Sequence, residues 1–273
     1  MTLIEKITSL QNPRVKKAIR LHTSRGRQMQ RRIIVFGERE VTRAISAGVV
    51  FEEIYLHDDA PSELINSVVN KSGAGQIFQL TSEVFSKLAY GDRNEGLIGV
   101  APRPGTDLNS LELPLPESDD GAMVVVAQAI EKPGNLGAIV RSADACGVSA
   151  ILLADTLTDF YHPNSIRSST AAVFGMPVAT GSSEEIMDWL TNNQFNVFTA
   201  MLQDSNEFFQ NDLSGNVAIV LGNEANGLTQ EWNRPEFNAV SLPMLGNADS
   251  LNVSVTASVM IYEATRQRKN WSG

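Results

Sequence analysis

The polar residues best placed for chemistry sit in three stretches, each just after an apolar run. In EKPGNLGAIVRSADACG (131–147), a Pro-Gly turn leads to Asn135 and then to a helix carrying Arg141. Asn135 is a good helix cap. Arg141 follows about 600° further round a helix, so the two converge only if Asn135 lies in the loop. An arginine among Ile139, Val140, Ser142 and Ala143 calls for an anionic partner. In IVLGNEANGLTQEW (219–232), Gly222 and Gly227 suit either a strand-to-helix turn or the close approach of a flat ligand. A turn alone does not explain Glu224 between Asn223 and Asn226. In SLPMLGNADSLNVS (241–254), Ser250 or Asn252 caps the helix that follows. Alternatively, the free N–H groups of that helix start and the serine hydroxyl bind phosphate.

Several other chemistries lack their sequence marks. There is no GxxxxGK[ST] phosphate loop, no GxGxxG after a strand and no GxSxG elbow. His22, His57 and His162 are far apart and show no ligand spacing, so each reads as a surface or loop residue and no metal is expected. The single cysteine, Cys146, excludes an intramolecular disulfide and a Cys-rich zinc site. It reads as a small core residue.

The elements that must carry these stretches alternate between strand and helix. In the first hundred residues the pattern predicts helices at 12–23, 38–47, 62–70 and 81–88, and strands at 33–36, 54–56, 77–80 and 96–100. That alternation argues a small α/β domain over residues 1–105. Four prolines and a cluster of acids within 101–121 predict an extended linker, assigned to 106–120. Residues 121–273 predict a second α/β domain. Its strands fall at 124–129, 151–154, 197–201, 217–221 and 240–242, and its helices at 135–146, 168–173, 184–192 and 252–268. The continuous apolar runs have the character of buried parallel strands.

The net charge of −9 argues at first against a nucleic-acid partner, but its distribution does not. Residues 1–43 hold 11 Lys/Arg against 3 Asp/Glu. Phosphate contacts need local positive potential, which this basic head supplies through Arg14, Lys16, Lys17, Arg25, Arg27, Arg31 and Arg32. No secretory h-region and no apolar run near 18 residues is visible, so a cytoplasmic protein without a membrane span is expected.

Together the three motifs resemble those of the SpoU (TrmH-like) RNA ribose 2′-O-methyltransferases of the SPOUT class, over about residues 120–270. The N-terminal SLQNPRVKKAIRL…RIIVFGEREVTRAISAG resembles, more loosely, a ribosomal-protein-like RNA-binding domain. The resemblance implies a parallel-sheet catalytic domain closed by a deep trefoil knot, and a homodimer with its active site at the subunit interface. It implies S-adenosylmethionine held at Gly222, Leu242, Met244 and Leu251. Asn135, Arg141, Glu224, Ser250 and Asn252 match the family's catalytic positions. Arg167 and Ser168 match an RNA-contacting region, in which Thr170-Ala171-Ala172 replaces the commoner Gly-Ala step. The implied reaction is methyl transfer to a ribose 2′-hydroxyl, of 23S ribosomal RNA, with transfer RNA as the alternative substrate within the class. A non-catalytic RNA-binding assembly factor is the alternative of another class.

Overall fold

Strands and helices alternate throughout the computed structural model, which describes residues 4–71, 73–90, 96–114 and 120–269. The chain divides into two units, Met1–Pro104 with Phe160–Gly175, and Gly105–Asp159 with Met176–Gly273.

The first unit runs β1 (Ile4–Ile7), α1 (Pro13–Arg20), α2 (Ser24–Gln30), β2 (Arg32–Phe36), α3 (Glu38–Ser46), β3 (Glu53–His57), α4 (Ser62–Lys71), β4 (Gln76–Leu80), α5 (Ser82–Leu88) and β5 (Leu97–Pro102). The five strands form one mixed sheet, ordered β1-β4-β3-β5-β2. β1, β3 and β4 pair in parallel, while β5 runs antiparallel to both β3 and β2. Its core includes Ile34, Tyr55, Phe78, Phe85 and Ile98. α1 starts as expected, with Pro13 in its first turn and the Asn12 side chain accepting the Arg14 amide at 2.9 Å. The pattern gave no sign of β1 or α2. α2, SRGRQMQ, has almost no apolar residue to mark a period. Its Thr23 cap accepts the Gly26 amide, and Arg27 is drawn inward to hydrogen-bond the carbonyls of Leu21 and His22.

The second unit contains β6 (Met123–Gln128), α6 (Pro133–Ala145) and β7 (Ala150–Ala154), after which α7 (Pro163–Ser168) belongs to the first unit. β8 (Val178–Gly181), α8 (Ser183–Asn192), β9 (Asn196–Ala200), β10 (Asn206–Glu207), β11 (Val217–Leu221), β12 (Asn238–Ser241) and α9 (Val253–Lys269) complete it. Its seven strands are ordered β10-β12-β9-β11-β6-β7-β8, and every pairing is parallel. β6, β7 and β11 are buried along their whole length, as their apolar runs require. α8 opens with a capping box between Ser182 and Glu185. α9 packs on α6 and β11 through residues that include Ala257, Met260 and Ile261, and Ser142 bonds Ser258 at 2.7 Å.

Three local expectations need correction. The helix expected at 168–173 is instead α7 followed by a 3-10 turn at Ala172–Phe174. Thr170 and Ala171 take positive φ values of 52° and 70°, which ends any right-handed helix there. Part of the expected linker is packed. The Thr180 amide donates to the Thr106 carbonyl at 2.8 Å, and Leu108, Leu111 and Leu113 pack on the core of the second unit. Linker residues 115–119 lie outside the described residues. His57, read from sequence as a surface or loop residue, is buried in β3.

Candidate functional site

The strands β9, β11 and β12 end side by side in the parallel sheet, and the segments leaving their carboxyl ends wall a cleft of about 730 Å³. Ligands of open parallel sheets bind at this end, in cavities of this size. Met201, Leu202, Gln203 and Asp204 follow β9, Gly222 to Gln230 follow β11, and Leu242, Met244, Ser250, Leu251 and Asn252 follow β12. Lys132, just before α6, completes the lining at one side.

Polar bonds join the three chemical stretches beside this cleft. α6 is capped by Lys132, and Pro133 occupies its first turn, so Asn135 is inside the helix and not its cap. Its Nδ2 is free to donate to Glu224 Oε1 at 2.8 Å. Glu224 Oε2 accepts the Glu131 amide at 3.3 Å. Asn252 Nδ2 donates to Asn135 Oδ1 at 3.3 Å, and Asn252 Oδ1 accepts the Ser254 amide and hydroxyl at the start of α9. Asn252 is therefore the helix cap, and Ser250 is not. The exposed Ser250 hydroxyl lines the cleft and bonds no other described residue.

Burial pushes the Glu224 carboxyl up, but the bonds from Asn135 and from the amides of Glu131 and Lys132 outweigh it and hold the group below the ordinary glutamate range. At neutral pH Glu224 is an anion that orients Asn135, not a proton store. Asn223, which the sequence did not single out, braces the same loop. It is buried, and its Nδ2 donates to the Ala129 carbonyl at 2.9 Å and to Glu131 at 3.2 Å. Its Oδ1 accepts the amides of Ala225 and Asn226.

The glycines of the second stretch serve the chain itself. A Cβ on Gly222 would lie 2.3 Å from Gly227 C and Leu228 N, so the loop doubles back across it. Gly227 supplies the turn with φ +68°. The wall at 201–204 carried no recognisable mark. Only its position after a strand neighbouring β11 points to it.

Arg141 stands apart. Because Asn135 is already helical, Arg141 lies about 9 Å further along α6 and some 120° away round its axis. It is exposed, does not line the cleft, and makes no side-chain bond to another described residue. The anionic partner expected for it is not in its own chain among those residues.

The basic head divides into two classes. Arg27 is fully buried on carbonyls. Arg14 pairs with Glu53 at 3.6 Å and lies over the Phe78 ring, and Arg32 pairs with Glu52 at 2.6 Å and Glu53 at 3.5 Å. These three are committed inside the unit. Lys16 bonds Gln11 but is exposed, and Lys17, Arg25 and Arg31 are exposed with no side-chain partner among the described residues. Arg167 is likewise exposed and free among those residues, whereas the Ser168 hydroxyl donates to the Asn164 carbonyl at 2.7 Å.

Comparison with known proteins places this geometry. The model of the SpoU rRNA Methylase family matches residues 122–262, and that of the MRM3-like substrate binding domain matches residues 12–99. The chain is 26% identical to the 23S rRNA (guanosine(2553)-2′-O)-methyltransferase RlmP of Bacillus subtilis, over 95% of this chain and 98% of that one. A solved RNA 2′-O ribose methyltransferase is 37% identical, with a TM-score of 0.81 over 97% of this chain and 99% of the other. The AdoMet-bound rRNA methyltransferase of Sinorhizobium meliloti is 26% identical, with a TM-score of 0.85 over 99% of both chains.

Proposed function

The chain belongs to the SpoU rRNA methylase family, as an S-adenosylmethionine-dependent RNA ribose 2′-O-methyltransferase, and on that premise we propose that its substrate is 23S ribosomal RNA. The observation that carries the reading is the Glu224–Asn135–Asn252 chain, which joins three distant stretches at the mouth of one cleft. The ribosomal substrate is supported by the RlmP relative, which aligns along nearly its whole length, and by the N-terminal match to a substrate-binding domain.

The cleft suits the donor. Leu242, Met244 and Leu251 offer apolar contact to adenosine, and the loop after Gly222 offers backbone groups. When bound, S-adenosylmethionine supplies an electrophilic methyl group on a sulfonium. The chain's residues then position the ribose hydroxyl and lower the cost of losing its proton. Glu224 holds Asn135, which orients the ribose. Ser250 holds the ribose or its phosphate, and Asn252 fixes the loop. Arg141 acts here as a cation and not as a base. It clamps the neighbouring phosphate and stabilises the developing alkoxide, and the proton passes to phosphate or water.

A second copy completes this site. Arg141 faces solvent in its own chain, and Val255 and Tyr262 on α9 are each 46% exposed. Two exposed apolar residues on α9 and an unengaged arginine on α6 support a homodimer with its active site at the interface. The family resemblance supports a deep trefoil knot in the segment from β12 to α9. It also supports division into an RNA-binding domain over 1–105 and a catalytic domain over 121–273. Among the described residues no helix is long and apolar enough to cross a membrane, and ribosomal RNA as the proposed substrate supports a cytoplasmic site of action.

The test is tritium transfer from labelled S-adenosylmethionine to total ribosomal and transfer RNA from a strain lacking the gene. Label in 23S RNA, mapped to one ribose, is expected. Label confined to transfer RNA overturns the substrate, and donor binding without any transfer favours an assembly factor.

A further inference from the structure

We propose that a half-exposed aromatic cluster in the first unit is a stacking platform for an unpaired RNA base, with Arg167 and Arg39 flanking it to hold phosphates. The proposal rests on the chain being an RNA methyltransferase, and it says where and how the first unit grips the RNA.

Four rings from separate elements meet there. His22 lies between α1 and α2, Phe36 ends β2, Tyr90 follows α5, and His162 caps α7. The Phe36 and Tyr90 rings stack at 5.5 Å with an interplanar angle of 29°. His22 meets both edge-on at 5.5 and 5.7 Å, and His162 meets Tyr90 edge-on at 6.4 Å. Several other rings of the same unit are sealed. Phe51, Tyr55, Phe78 and Phe85 are at most 1% exposed, whereas all four cluster members keep part of their surface in solvent. A cluster that served only to fill the core would be sealed like those four.

The surroundings favour a nucleotide over an apolar partner. A small hollow beside the rings is lined by Phe36, Tyr90, Arg39, Glu40 and Arg167. At about 30 Å³ it holds roughly a water, so a base would lie on the rings and not enter it. The Arg167 guanidinium is exposed and bonds no other described residue. Arg39 is 55% exposed while it bonds the buried Glu40 at 2.9 Å. α7, which carries Arg167, is tied to α3 where Arg43 donates to the Thr170 carbonyl at 2.8 Å. His22 Nε2 meets the Leu88 carbonyl at 2.9 Å. Burial pushes its pKa down against that bond, and the Arg27 charge adds to the lowering, so the ring is neutral at pH 7 and presents a π face. Stacking rings edged by guanidinium groups are the recognition chemistry of single-stranded nucleic acid.

The test uses the full-length protein with two fluorescent probes, a ten-nucleotide oligoadenylate and a ten-base-pair RNA duplex, read by anisotropy. Y90A is expected to weaken oligoadenylate binding about tenfold, the loss of one base–aromatic stack. Y90W should restore it to within about twofold, and the duplex should respond to neither change by more than about twofold. R167A should lower the salt slope on the single strand by about 0.7, one phosphate contact. Donor affinity should match wild type in each variant, and the thermal transition should match it in Y90W and R167A, Y90A alone melting a few degrees lower for its lost ring contacts. Equal oligoadenylate binding by Y90A and wild type overturns the proposal. So does Y90W binding as poorly as Y90A, or an equal loss on the duplex, which would make the face a backbone or protein contact. Wild-type protein that labels no RNA would instead refute the methyltransferase reading, whatever the variants bind.

Discussion

Replacing Glu224 by glutamine keeps the shape of the side chain and removes only its charge and one acceptor. The carboxylate receives the Asn135 amide at 2.8 Å and the Glu131 backbone N–H at 3.3 Å, and the Lys132 amide also faces it. A glutamine can still accept from Asn135, but its NH₂ then points at backbone donors. Hydrogen bonds to a charged group contribute about 1.5–3 kcal/mol each, and a half-exposed site sits at or below the low end. Losing one or two of them should cost about 2 kcal/mol at pH 7. Among the described residues both tryptophans, Trp189 and Trp232, fall in the second unit, so urea unfolding followed by tryptophan fluorescence reports on that unit. The pH dependence gives the sharper check. Because the folded carboxyl titrates below its ordinary range, its stabilisation is fully present above the unfolded-state pKa. It is lost as pH falls through the lower, folded value. The gap between wild type and E224Q should be constant from about pH 8 to 5 and close below that. A gap that persists undiminished to pH 3, or none at pH 7, would refute the assigned role of Glu224.

Further outcomes follow from the same geometry. R141A should keep donor affinity and the unfolding midpoint, since the side chain bonds no other described residue, yet lose at least about a hundredfold in turnover. R141K keeps the charge without the planar fork, and wild-type turnover by R141K across pH would sink the phosphate clamp. G222A forces a Cβ to within 2.3 Å of backbone at Gly227 and Leu228, so donor binding by calorimetry should fall at least about tenfold; unchanged affinity would show that the loop yields. R27M should cost about 3 kcal/mol of first-unit stability by leaving the Leu21 and His22 carbonyls unpaired, whereas K17A and R25A should leave the melt unchanged and flatten the salt dependence of RNA binding.

The legible parts of the fold were those set by hydrophobic pattern. Val217–Leu221 reads as a buried strand because all five residues are apolar, and it is one. α2 was illegible because a buried arginine on two carbonyls holds it in place of an apolar stripe. At the candidate site, Gly222, Glu224, Leu242, Met244, Ser250, Leu251 and Asn252 were all marked in the sequence, and all line the one cleft. What spacing could not give was which of two similar residues does which job. Asn135 looked like the cap of α6 until Lys132 took that place, and Asn252 proved to be the cap where Ser250 was equally eligible. The basic head misled in part. Charge counting treats Arg14, Arg27 and Arg32 like Lys17, but Glu53, Glu52 and two carbonyls had already claimed them.

The seating of β11 between β6 and β9 governs how this chain emerges from the ribosome. Roughly ninety residues separate the end of β6 from the end of β11, or about 5–20 s of synthesis. Throughout that interval β6 lacks one neighbour, β9 joins it unpaired on that side once it is made, and no hairpin can seal them, since every partner in the sheet runs the same way. The walls supplied by residues 222–260 come later still. A nascent chain therefore spends its most aggregation-prone moments before it can recognise its own ligand. No amount of methyl donor in the cell can chaperone the step that most needs help.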